Sequence, residues 1–345
     1  MSKAFDTISH SILVDKLAFY GFLKSSQILI KSYLSNRHQS VSHRGHQSTF
    51  KPINSGVPQG SVLGPSLFII YINDLPNSIS TECPKTYMFA DDLAITMVHN
   101  SVDTVEMKLN STSELIVKWC SSNKLKLNSD KTTQIIFNIS RHGSPANTSC
   151  RFLGLYVESS LGWLTHVNHV SSKISTGIYM LRMLRASLCI DSLLSVYYAH
   201  IHSHMSYGLL FWGNHGMASR VFKLQKRAIR TISGDSQRTH CRPLFAKYRI
   251  LTLYSMYVLS CLVYIKSNIT NYDIVSSVHN YQTRNRMNIC QDKTKYTITQ
   301  NSFHYNSIKL YNSVPQAYRD LSIIMFKNKI KNILLSNPLY SVDDF

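Results

Sequence analysis

Residues 87–96 read YMFADDLAIT, with two adjacent carboxylates, Asp91 and Asp92, inside a run that is otherwise apolar. The stretches KTYMFA and LAITMVH on either side predict two short strands with the aspartates at their turn. Tyr87, Phe89, Leu93 and Ile95 alternate around the pair, so the arms are expected to pack and hold the tip rigidly. Aspartate is also an ordinary turn residue, because its side chain caps backbone N–H groups. The pair alone therefore leaves a structural turn and a cation site both open. Two carboxylates on a rigid tip repel each other unless a cation lies between them. Mg²⁺ suits that place: it takes oxygen ligands, keeps several waters and is completed by substrate phosphates. In two-metal phosphoryl transfer such a site needs carboxylates from at least two separate segments.

The rest of the chain points to a polyanion. It carries 37 basic and 18 acidic side chains, a formal charge of +19, on 345 residues of which 44% are hydrophobic. That is enough apolar content for two or three domains, and the basic excess favours nucleic acid over an anionic membrane surface. No segment combines a basic face with a wholly apolar one over several turns, and the longest apolar stretches are too short or too polar to span a bilayer. Seven dispersed cysteines without a Cys-x-x-Cys pair argue against a zinc knuckle or a disulfide framework and for free thiols in a reducing compartment. The beginning lacks an apolar core of signal-peptide length. The protein is expected to be intracellular and not secreted.

Helical apolar spacing runs through HSILVDKLAFYGF, with Gly21 as its stop, and through QILIKSYLSNR. QSVSHRGHQSTFKPINSGVPQGS is turn-rich and predicts a hairpin and loop. PSLFIIYINDLPNSI predicts a buried helix starting at Pro65, and SVDTVEMKLNSTSELIVKWCSSNKL an amphipathic one. TTQIIFNI and RFLGLYVES read as further strands. After about Trp163 the pattern changes to long helical stretches rich in Tyr, His, Lys and Arg, which places a domain boundary there and a weaker one near Gly234.

Five motifs in order carry a resemblance: SKAFDTISHSILVDKL, SGVPQGSVLGPSLFIIYINDLP, FADD, WCSSNKLKLNSDKTTQIIF and RFLGLYVESSLGW. Together they resemble the reverse transcriptases of non-LTR retrotransposons, particularly the jockey-like group. Weaker similarity continues through HSHMSYGLLFWG, LQKRAIRTISG and NSIKLYNSVPQAYR. Group II intron maturases share the Asp pair but have a different glutamine-loop sequence. The resemblance implies an α+β fold: a palm of antiparallel sheet with packed helices over 1–164, a helical thumb over 165–234 and a helical C-terminal region over 235–345. It implies RNA-templated DNA synthesis by Mg²⁺ (or Mn²⁺)-assisted nucleotidyl transfer. The partners would be an RNA template, a DNA primer and deoxynucleoside triphosphates, in the nucleus or a cytoplasmic ribonucleoprotein. Oligomeric state is left unknown.

By the same resemblance Asp91 is the direct metal ligand and Asp92 a supporting one. Phe5 is the bulky gate under the incoming sugar, with core packing as its other reading. Gly56, Pro58, Gln59 and Gly60 form the loop whose Gln59 and Gly60 meet nucleotide and template, or a Pro/Gly turn introducing a helix. Lys131 is a general acid for the pyrophosphate leaving group, or a solvated lysine. Phe152, Leu153 and Gly154 place the primer end, or simply make a packed hairpin. His200 and His204 are one helical turn apart, but no carboxylate or thiol lies nearby in sequence, so a helix facing nucleic acid is preferred to a metal site. SRVFKLQKRAIRTISG predicts an amphipathic helix whose Lys223, Lys226, Arg227 and Arg230 track phosphates while Val221, Leu224 and Ala228 dock.

The first motif departs from the family pattern. In the family it reads Asp-x-x-Lys-Ala-Phe-Asp and the first aspartate binds metal; here that position falls just before Met1. Asp6 is expected to cap the helix beginning near Ser9. On this reading the chain lacks a metal ligand and the fingers, as in a truncated gene or a decayed copy, and is predicted inactive as it stands. The alternative is a non-catalytic nucleic-acid-binding remnant of the same element.

Overall fold

In a computed structural model of the chain, residues 4–79, 85–137, 148–278 and 285–345 are described, as two compact units, 1–134 and 135–345. Ser2, Lys3, Cys83, Asn138 and Ile139 lie outside the described residues.

In the first unit the helical spacing is realised. α1 (His10–Phe19) and α2 (Lys24–Leu34) are followed by four two-residue strands, β1 (His38–Gln39), β2 (Ser42–His43), β3 (His46–Gln47) and β4 (Lys51–Pro52). β1 pairs with β4 and β2 with β3, both antiparallel. The inner pair closes through Arg44 and Gly45 at φ 50° and 82°, the left-handed pair that a tight hairpin needs. α3 (Leu63–Ile72) begins two residues before Pro65, and α4 (Leu75–Ile79) continues it. β5 (Lys85–Phe89) pairs antiparallel with β6 (Asp92–Thr96), and α5 (Val102–Ser122) covers the core. Leu13 and Leu17, one turn apart on α1, meet Leu67, Phe68, Tyr71, Leu75 and Ile116 in that core. Full burial of such a side chain stabilises the fold by about 1.5–3 kcal/mol.

Lys16 enters the same core with its charge satisfied. Nζ donates to Asp74 Oδ1 at 2.7 Å and to Tyr71 O at 2.6 Å, and lies 4.9 Å from the centroids of the Tyr71 and Trp119 rings. Burial, only partly opposed by Asp74, lowers its pKa.

In the second unit β7 (Ser149–Phe152) and β8 (Leu155–Glu158) form a hairpin, and the other regular elements among the described residues are helices. α6 (Leu164–Leu184) leads to α7 (Ile190–Tyr197), a π-helical turn (Tyr198–His202), α8 (Ser203–Ser206) and α9 (Leu209–Trp212). Then come α10 (Ala218–Ser233), α11 (Arg242–Lys247), α12 (Leu253–Ser267), α13 (Val275–Val278), α14 (Thr297–Gln300), α15 (Phe303–Ser313), α16 (Gln316–Arg319) and α17 (Ile323–Ser336). Tyr197, Trp212, Phe245, Tyr257 and Phe326 fill the core. Buried Gln225 donates to Tyr197 Oη and Leu251 O and accepts from Leu253 N, so its amide stays satisfied.

Both units mix helices with small antiparallel sheets, each of two strands among the described residues. Residues 132–137, expected as a strand, have no regular structure. The compact units meet at 134/135, whereas the sequence pattern changed near 163: the β7–β8 hairpin clusters with α6 and not with the elements before it. No helix among the described residues is long and apolar enough to cross a membrane. Cys120, Cys150, Cys189, Cys241, Cys261 and Cys290 are free thiols.

Candidate active site

Residues 5–10 and 55–59 are far apart in sequence and zipped together in the fold. Gly56 N donates to Ile8 O and Val57 N to Phe5 O, each at 2.8 Å. Ser55 Oγ donates to Asp6 O at 3.0 Å, and Ser9 and Ser55 form an antiparallel bridge. Gly56 has φ 85°, and a Cβ on it would lie 2.8 Å from Asp6 Cα, Asp6 O and Phe5 O. Both the backbone angle and the close approach require glycine. His10 Nε2 lies 2.7 Å from Gly56 O, so that nitrogen carries a proton and donates.

Asp6 does not cap α1. Ser9 is the N-cap residue, without a side-chain bond, and the Asp6 carboxylate instead accepts from Gln59 Nε2 at 2.8 Å. The zipped loop carries Gln59 over Asp6, out of reach of any local sequence rule. Gly60 at φ 79° has open space around it, so its conformation alone explains glycine there. Phe5 is half-buried, its ring 4.7 Å from that of Phe68. Asp6, His10, Arg37, Gln39 and the 52–59 loop line an open cavity of about 550 Å³. His10 and Arg37 escaped the sequence reading, because only the long-range pairing brings them to this place.

The aspartate hairpin turns through Ala90 and Asp91, with Ala90 at φ 50°. This two-residue loop sets the register: Phe89 faces Asp92, Met88 faces Leu93, Tyr87 faces Ala94 and Thr86 faces Ile95. Met88, Leu93 and Ile95 pack on the core that also holds Phe5. The expectation that Tyr87 and Phe89 pack with Leu93 and Ile95 is corrected by that register. Those two rings lie on the outer face, 56% and 68% exposed, with the exposed Asp92. Asp91 is half-buried in the turn. Lys131 closes a short 3-10 turn, Ser129–Lys131, and is exposed.

In the second unit Leu153 and Gly154 make the tip of the β7–β8 hairpin at φ 45° and 83°. Tyr207 Oη donates to Leu153 O, and its ring lies 3.2 Å from where a Cβ on Gly154 would be. Phe152 is half-buried beside them. On α10 the four predicted cations divide. Lys223 and Arg227 are exposed. Lys226 lies 4.8 Å from the Phe222 ring centroid and 5.4 Å from that of Tyr340, and Arg230 Nε donates to Thr239 O at 2.8 Å.

With this geometry in view, residues 1–157 match the family described as reverse transcriptase (RNA-dependent DNA polymerase). The match holds the zipped loop, the aspartate hairpin and most of the β7–β8 hairpin. The chain is 26% identical over 255 residues to an "RNA-directed DNA polymerase from mobile element jockey" of Drosophila melanogaster, covering 68% of this chain and 28% of that protein. It is 27% identical over 229 residues to a "probable RNA-directed DNA polymerase from transposon X-element" of the same fly, covering 60% and 25%. A "probable RNA-directed DNA polymerase from transposon BS" matches at 26% over 268 residues, 68% and 28%. The chain thus spans about a quarter of the length of these curated relatives.

Reverse transcriptases use divalent metal ions such as Mg²⁺. Asp91 and Asp92 fit one by donor chemistry: adjacent hard oxygens on a solvent-reaching tip. Among the described residues no group of three His, Cys, Asp or Glu side chains is placed to hold a metal. The fit is that of an ion completed by waters and substrate, not of a closed protein cage.

Proposed function

We propose that this chain contributes the RNA-directed DNA polymerase domain of a jockey-like non-LTR retrotransposon. It would act on an RNA template, a DNA primer and deoxynucleoside triphosphates, within the nucleus or a cytoplasmic ribonucleoprotein. The observation that carries this reading is the zipped contact of residues 5–10 with 55–59. It sets Phe5, Asp6 and Gln59 side by side on the same core as the aspartate hairpin.

On this reading residues 1–164 serve as the palm, 165–234 as the thumb and 235–345 as a C-terminal helical region. Asp91 and Asp92 hold the divalent ion. When bound, that ion supplies charge stabilisation to the in-line displacement at the α-phosphate. Phe5, braced on Phe68, blocks the space a ribose 2′-OH would need. Gln59, held toward Asp6, presents its amide to the nucleotide or template, and Gly60 lets the substrate approach the backbone. Lys131, exposed on its turn, gives a proton to the departing pyrophosphate. Leu153 and Gly154, clamped by Tyr207, seat the primer end.

A second reading, a non-catalytic nucleic-acid-binding remnant, is favoured by the lack of a third carboxylate at the pair among the described residues. Primer extension on an RNA template, in Mg²⁺ and then Mn²⁺, decides between them. Extension that disappears in Asp91→Ala and Asp92→Asn supports the polymerase. Retained hybrid binding with no extension in either metal supports the remnant. Extension that survives Asp91→Ala overturns the assigned role of the aspartate hairpin.

A further inference from the structure

On one corner of the second unit, cationic and titratable side chains gather. α6 carries His169 and Lys173 one helical turn apart, and the π-helical turn and α8 carry His200 and His204 at the same spacing. The two segments approach closely at Gly177, where a Cβ would lie 2.7 Å from Ile201 Cγ1 and 3.1 Å from His200 O. A π-helical turn is rare and frequently lies at a functional site. From the β7–β8 hairpin, the Tyr156 ring lies 5.1 Å from that of His169, and the Arg151 guanidinium 5.9 Å from the Tyr156 centroid. On the α10 side, Arg220 donates to Asn168 Oδ1 at 2.8 Å.

The cations Lys173 and Arg151 each disfavour a proton on the neighbouring histidines. Burial, then Lys173 and Arg151, holds the His169 pKa down. Burial, then Lys173, His169 and His200, does the same to His204. Glu158, on the same hairpin, is buried and accepts from Thr165 N at the start of α6. A corner of this kind is unfavourable in the free protein and is relieved when an anion with several charges arrives.

We propose that Arg151, His169, Lys173, His200 and His204 form a phosphate-binding corner that grips a nucleic-acid backbone and takes up protons as it does so. The identity of the polyanion rests on the polymerase reading; the place and the proton uptake are new. Arg151 and Lys173 are exposed cations of the corner. His169 and His204 are largely neutral near pH 7 in the free chain and gain protons beside phosphate, so affinity rises as pH falls. Each ring protonated on binding adds up to about tenfold in affinity per pH unit.

The test is fluorescence anisotropy of a labelled RNA–DNA hybrid with the full chain at pH 6, 7 and 8 and constant ionic strength. Affinity is expected to rise about tenfold or more from pH 8 to pH 6. His169→Gln/His204→Gln flattens that rise without lowering the melting temperature. Lys173→Gln, at an exposed position, lowers the salt slope by about one at every pH. It carries the test should the double variant fail to fold. A double variant that keeps the wild-type pH slope, an unchanged salt slope in Lys173→Gln, or no hybrid binding at any pH overturns the proposal. Displacement of the hybrid by dTTP at equal phosphate concentration overturns the backbone assignment in favour of a free triphosphate. Binding with the expected pH slope in a chain that extends no primer leaves the corner standing while the polymerase reading falls.

Discussion

His166 should make the second unit acid-sensitive. It lies on the first turn of α6, 2% exposed, with ring centroids of Trp212 at 5.6 Å and Trp163 at 6.1 Å. Nδ1 accepts from Tyr156 N at 3.4 Å, while among the described residues Nε2 has no partner. Burial, and then the charge of His169, lowers its pKa from the ordinary 6.5 to about 4. The unfolded chain therefore takes up this proton near pH 6.5, and the folded chain only near pH 4. The neutral ring's contribution is complete above about pH 6.5 and is lost as pH falls toward 4. Linkage makes that loss about 2 kcal/mol at pH 5 and about 3 kcal/mol below pH 4. Urea unfolding read by tryptophan emission at pH 7.5 and 5.0, on wild type and His166→Asn, measures it. Asparagine keeps an acceptor for Tyr156 N and cannot titrate. The other depressed histidines, His169, His202 and His204, are common to both chains and cancel. Wild type should lose about 2 kcal/mol more than the variant between the two pH values, at unchanged m-value. Equal losses would refute the argument that burial keeps this ring neutral.

Gly56→Ala forces a side chain onto φ 85° and into backbone at 2.8 Å, so it should cost about 3 kcal/mol or more. A thermal melt showing under about 1 kcal/mol would mean the loop can lift off Asp6. Lys16→Met removes the donor to Asp74 and Tyr71 O and should cost about 2 kcal/mol, with a coupling of at least about 0.5 kcal/mol to Asp74→Asn in a double-mutant cycle. Additivity would show that the pair contributes only packing. On α10, Lys223→Gln and Arg227→Gln should each flatten the salt dependence of nucleic-acid binding by about one in log–log slope. Lys226→Gln and Arg230→Gln should instead act mainly on the melting temperature, because their side chains are engaged with Tyr340 and Thr239. Equal salt effects from all four would contradict that division.

What could be read along the chain was whatever is local. Apolar residues three and four apart marked α1, α2 and α5, a continuous apolar run after Pro65 marked α3, and Gly21 at φ 81° ended α1 as expected. Register was harder. Alternation around Asp91 and Asp92 predicted a hairpin, but a two-residue loop pairs Leu93 with Met88, and that parity turned Tyr87 and Phe89 outward. Asp6 was misassigned because its partner, Gln59, lies 53 residues away and reaches it only through the zipped loop. Spacing on α10 predicts that Lys226 and Arg230 track phosphates with Lys223 and Arg227. Tyr340, more than a hundred residues later, engages Lys226, and Thr239 beyond the helix engages Arg230; no periodicity within the helix could announce either.

The treatment of charge connects these particulars to the net charge of +19. Where the fold engages a cation, it often adds an aromatic face: Lys226 lies on Phe222 and Tyr340, Lys16 on Tyr71 and Trp119 beside its ion pair with Asp74, and Arg242 on Tyr340 beside Asp344. An aromatic face stabilises a cation without neutralising it. The protein therefore keeps a basic field while holding side chains in place, and the exposed Lys223 and Arg227 add to that field. A fold balanced by carboxylates would bind nucleic acid weakly and with a shallow salt dependence. This one should bind it steeply with salt and with little regard to sequence, because its 37 basic side chains outnumber its 18 acidic ones and the excess is left to phosphate.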